Sequence, residues 1–70
     1  MRYPIVIEKT GNGYGGHVVD VPGLHAAADS PKEVRGLLQS ILAERICEMR
    51  ANGERVPKPT VVRVDSVEIG

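Results

Sequence analysis

Apolar residues follow two different rhythms along this chain. Near the start they alternate: Tyr3, Ile5 and Ile7 fall on one side of an extended backbone, and Arg2, Pro4, Val6 and Glu8 on the other. That period of two is the signature of a strand over residues 2–10. Further on the spacing changes to threes and fours. Val34, Leu37, Leu38, Ile41, Leu42, Ile46 and Met49 recur at the period of a helix and predict one apolar stripe.

The helix has marks at both ends. Ser30 is suited to accept a hydrogen bond from an unpaired amide of the first turn, and Pro31 occupies the first helical position, where its missing N–H is not needed. Glu33 stands three residues after Ser30, completing the form of a capping box. Asn52-Gly53 offers a left-handed residue to close the helix, and Pro57 and Pro59 prevent a restart. A helix spanning these marks is about 33 Å long, enough to cross a small domain from side to side.

The remaining segments read as strands. Gly11-Asn12-Gly13 contains Asn-Gly, the strongest short hairpin signal, and leads to a second strand over residues 14–21. Val21-Pro22-Gly23 turns the chain, and residues 24–28 suit a short third strand whose alanines would let the helix lie close. Pro4 suggests an edge position or a strand start. After the helix, Val62 and Val64 share one parity and Val67 and Ile69 the other, predicting a fourth strand with a bend at Asp65-Ser66. Such an apolar strand would be a hazard if left unpaired, and pairing with a partner subunit would remove it. The order is β-β-β-α-β: a small α+β domain, an antiparallel sheet with one long helix packed on it, and one domain over residues 1–70.

Length changes the picture next. Seventy residues bury too little surface for a generous core, about 3–5 kcal/mol in isolation. Cys47 is the single cysteine, so no disulfide framework exists, and no Cys/His cluster has zinc spacing. By elimination the chain is expected to be a homo-oligomer, most simply a two-fold dimer. Nine basic and nine acidic residues cancel, and Tyr3 and Tyr14 are the only aromatics. Both facts argue against direct nucleic-acid binding through phosphate neutralisation or base stacking. No stretch has the look of a signal peptide or approaches membrane-spanning length, which with the lone thiol leads us to expect the cytoplasm and no membrane partner.

Candidate chemistry is sparse. Gly11-x-Gly13-x-x-Gly16 matches a dinucleotide fingerprint in letters only, since here it links two strands rather than a strand and a helix. Glu8, Asp20 and Asp29 could be grouped as a metal-binding carboxylate set. Asp20 before a turn and Asp29 before a helix, however, are ordinary places for aspartate. His17 and His25 each lack a neighbouring ligand at sequence spacing, and Cys47 lies late in the helix, where the dipole disfavours a thiolate. No enzyme activity, catalytic residue, cofactor or metal is therefore expected.

One stripe stands out. Gly36, Ser40, Ala43 and Cys47 are spaced four, three and four, roughly opposite the Val34/Leu38/Ile41 face. A glycine inside a helix costs about 1 kcal/mol relative to alanine, a cost tolerable where another backbone must approach. The stripe is a candidate contact surface for a partner or a second subunit, although a helix back that merely happens to be small fits the same spacing. Arg45 sits near the middle of the apolar stripe, where its stem can pack while its head reaches a rim carboxylate.

These segments together resemble the HicB-like antitoxin domain over nearly the whole chain. The resemblance is carried by the Gly-rich hairpin with Gly13-Tyr14, by Asp20-Val21-Pro22-Gly23, by Asp29-Ser30-Pro31-Lys32-Glu33 leading into the helix, and by Gly53-Glu54-Arg55-Val56-Pro57-Lys58-Pro59 closing it. Tyr14, Asp20, Pro22, Gly23, Asp29, Ser30 and Glu33 are the positions that match the family's structural signature. The resemblance implies a partial ribonuclease H-like fold without a catalytic set. It also implies dimerisation and the neutralisation of a small basic HicA-type ribonuclease toxin by steric masking. Family members often continue into a ribbon-helix-helix or helix-turn-helix module, for which the ten residues after Thr60 are too few. The alternative is a free-standing homodimer of the same fold, with a regulatory or scaffold role and no toxin.

Overall fold

A computed structural model describes residues 2–59. Three strands, β1 (Ile5–Lys9), β2 (Tyr14–Val18) and β3 (His25–Ala28), precede one helix, α1 (Pro31–Ala51). The strands form an antiparallel sheet in the order β1-β2-β3. The domain is α+β, one helix on one face of one sheet. The fourth strand expected around Val62, Val64, Val67 and Ile69 lies outside the described residues.

Register decides which residues meet the helix. Ile5 pairs with Val18, Ile7 with Gly16 and Lys9 with Tyr14, while Tyr14 and Gly16 pair with Ala28 and Ala26. Directly paired residues share a face. Ile5, Ile7, Tyr14, Gly16, Val18, Ala26 and Ala28 therefore line the face toward α1, as the alternation in the first strand predicts. The core is Val18, Val21, Val34, Leu38 and Met49, with Tyr3, Leu24, Ile41, Leu42 and Val56 among the half-buried residues packed against it.

Gly16 sets how closely the two layers approach. A Cβ built there would lie 2.7 Å from the Val6 carbonyl oxygen, 2.8 Å from Val34 Cγ1 and 3.2 Å from Leu38 Cδ1. Val34 and Leu38, at 0% and 1% exposure, sit against the glycine's bare backbone. Burying each of these side chains contributes about 1.5–3 kcal/mol, so the most buried part of the core is formed where the sheet has no side chain.

Both helix ends are built as their residues predict, with one change. Ser30, in extended conformation, accepts from the Glu33 amide at 3.2 Å. The Glu33 carboxylate accepts from the amide of Asp29 at 3.4 Å, one residue earlier than a capping box requires. At the C-terminus Gly53 has φ +70°. The Glu54 amide donates to Met49 O at 2.8 Å and the Gly53 amide to Arg50 O at 3.2 Å. That pair of bonds is a Schellman closure, and the left-handed residue is Gly53 rather than Asn52.

Two expectations need correction, while the β1–β2 hairpin forms at Asn12-Gly13 as expected, although neither residue has positive φ. Gly13 holds a position where a Cβ would come within 2.6 Å of the Ala28 carbonyl oxygen, so its glycine serves close packing against β3. The second strand stops at Val18, because residues 19–23 already turn; the first is confined to 5–9. Leu37 does not join the core. It is 46% exposed, because at about 100° per residue it points well to one side of Val34, Leu38 and Met49.

Candidate interaction surface

The side of α1 turned away from the sheet is the most distinctive surface of the domain. Gly36, Ser40, Ala43 and Cys47 are all exposed there, and nothing approaches within 4 Å of a Cβ built on Gly36. The fold itself therefore gives no packing reason for that glycine. The Cys47 thiol is free and exposed. The stripe is a narrow band of small side chains in the position predicted for it.

Its two borders differ in charge. Counted at about 100° per residue, Glu33, Leu37 and Glu44 fall nearly in line along one border, with Glu48 close beside them. All four are exposed. Glu48 also makes a 3.6 Å ion pair with Arg45, a solvent-facing contact of small energy, and it supplies the carboxylate expected for the Arg45 head. The other border carries Lys32, Arg35, Gln39 and Arg50, again exposed. The zero net charge thus conceals a helix with an acidic edge and a basic edge. Leu37, placed on the core stripe by its spacing, is instead an exposed apolar side chain among three glutamates. The charge pattern was available from the sequence at the same angular spacing; the exposure of Leu37 was not.

Between α1 and β1, the outer strand among the described residues, lies a groove of about 600 Å³ lined by Ile5, Ile7, Leu38, Leu42, Arg2 and Arg35.

The residues matching the family signature hold the frame and are not gathered into one site. Tyr14 is half-buried on the helix-facing side of β2, packed on the core. Asp20, Pro22 and Gly23 make the turn into β3, with Gly23 at φ +88°. Asp29, Ser30 and Glu33 build the helix start. The grouping of Glu8, Asp20 and Asp29 does not form: among the described residues no three His, Cys, Asp or Glu side chains come together as a metal site. Among the same residues no helix is long and apolar enough to cross a membrane. Comparison of the chain with family models, curated proteins and solved structures finds no match.

Proposed function

We propose that this chain is an antitoxin-like protein-binding module that neutralises a small basic ribonuclease of the HicA type by covering it. The observation that carries the reading is the outer side of α1. Leu37 is 46% exposed beside Gly36, Ser40, Ala43 and Cys47 and lies among Glu33, Glu44 and Glu48. An apolar anchor in a shallow, small-sided track is the anatomy of a contact centre, and a surrounding charged rim speeds encounter and selects the sign of the partner. The border that carries Leu37 is acidic, which suits a basic protein, while the opposite border with Lys32, Arg35 and Arg50 is basic. Masking of this kind asks no acid, base or metal of the chain, and its homodimeric state and cytoplasmic location belong to the same proposal.

The test is a pull-down with this chain as bait, followed by reconstitution with any small basic protein it recovers. The two are expected to co-purify, and the partner's cleavage of messenger RNA is expected to stop on addition of one equivalent. Ala43→Arg, on an exposed position, should leave the fold intact and abolish both effects. Unimpaired binding by that variant, or a partner without ribonuclease activity, would overturn the reading.

A further inference from the structure

The face of the sheet away from α1 carries Val6, Glu8, Gly15, His17, His25 and Ala27. His17 and His25 are eight positions apart in sequence, and neither has a ligand neighbour along the chain. The fold changes that: they are direct partners across β2 and β3, both exposed. The hydrogen bonding fixes which kind of pair they form. The Val18 amide donates to Leu24 O at 3.1 Å, so the adjoining Val18/Leu24 position is a hydrogen-bonded pair. Antiparallel ladders alternate, so His17/His25 is a non-hydrogen-bonded pair. This is the kind in which Cα atoms approach to about 4.5 Å and side chains lie closest.

Two imidazoles rising side by side from such a pair can bring one nitrogen each to a common ion at about 2.0–2.1 Å. Val6 stands opposite His17 on β1, and the room lies on the side toward Gly15 and Ala27. Two residues along each strand on the same face stand Gly15 and Ala27, which offer no side chain large enough to fill the space beside the rings. No hydrogen bond or ion pair among the described residues engages either ring. With no third protein donor in the cluster among the described residues, the other coordination positions would fall to water.

We infer that His17 and His25 form a two-ligand site for a divalent transition metal ion. Imidazole nitrogen selects copper, nickel or zinc over magnesium and calcium, and affinity should follow Zn2+ below Cu2+ and Ni2+ below Cu2+. The site is separate from the helix surface proposed for protein binding, and it stands or falls independently of that reading.

The experiment is calorimetric titration of the full chain with Ni2+ and with Zn2+ at neutral pH, in the Cys47→Ser background so that the exposed thiol does not contribute. One ion per chain is expected. His17→Asn and His25→Asn should each weaken binding by at least about tenfold, because one imidazole raises the effective concentration of the other. The double variant should be little worse than either single one. Circular dichroism checks that these exposed substitutions leave the fold unchanged. Equal binding by the single variants, a halving of stoichiometry instead of affinity, or complete loss of binding in Cys47→Ser alone would each overturn the assignment.

Discussion

Gly16→Ala adds one methyl group at the closest contact between sheet and helix. The new carbon would stand 2.7 Å from a backbone oxygen, that of Val6, and 2.8 Å from Val34 Cγ1. The oxygen belongs to β1 and is held by the ladder, so the strand cannot simply swing aside. Val34 is fully buried, so its methyl has no empty space to enter. The helix must lift or the sheet must distort. Overpacking of this kind costs about 1–3 kcal/mol, against about 3–5 kcal/mol for a domain of this size. At about 4–8 °C per kcal/mol the melting temperature should fall by at least about 4 °C. Urea unfolding followed by circular dichroism measures the same loss as a lower midpoint. The control is Gly36→Ala, where nothing lies within 4 Å of the added carbon. There the methyl only removes the helix-interior penalty of glycine, and stability should rise by up to about 1 kcal/mol. The same substitution at two glycines thus moves stability in opposite directions. A Gly16→Ala variant as stable as the parent would refute the packing argument.

Other outcomes follow from single contacts. Ser30→Ala removes the acceptor for the Glu33 amide and should cost about 1 kcal/mol in thermal or urea unfolding. Leu38→Ala, at a position 1% exposed, should cost about 2–5 kcal/mol, enough to leave much of the chain unfolded by one-dimensional NMR at room temperature. If Gly36 is glycine so that a partner's backbone can approach, Gly36→Ala should weaken the complex in surface plasmon resonance while stabilising the free chain. Leu37→Ala should reduce partner affinity by about tenfold or more with little change in melting temperature, since the side chain is 46% exposed.

Much of this fold is legible in the sequence because its signals are local. The alternation of Ile5 and Ile7, the Ser30-Pro31 start and Gly53 at the close each express a rule that acts within a few residues. The errors arose where the deciding contact is distant. Asn12-Gly13 marks the hairpin, but the sequence does not show that a side chain on Gly13 would meet the Ala28 carbonyl on another strand. Leu37 has the spacing of a core residue, but among the described residues the sheet under α1 has three strands, and Leu37 stays 46% exposed at the helix edge. The small stripe was predictable because helical angle alone defines it. The pairing of His17 with His25 was not, since it depends on a register set by where the 19–23 turn stops β2.

The Tyr3 hydroxyl donates to the Pro57 carbonyl at 2.6 Å, joining groups 54 positions apart. Every hydrogen bond in the hairpins and the helix closes a far shorter loop. Beside the packing of α1 on the sheet, this clasp ties the segment before β1 to the segment that leaves the helix, where Val56 also packs on the core. Hairpins and helices form in microseconds or less, whereas joining distant segments adds the entropy cost of a long loop. Closing the clasp thus carries a larger entropy cost than closing a hairpin turn. Loss of this bond together with the Val56 packing beside it would release residues 55–59 while the sheet and α1 stay folded, a partial opening that hydrogen exchange would place below global unfolding in free energy. Tyr3→Phe, which removes only the hydroxyl, would make that opening more frequent without disturbing the rest of the domain.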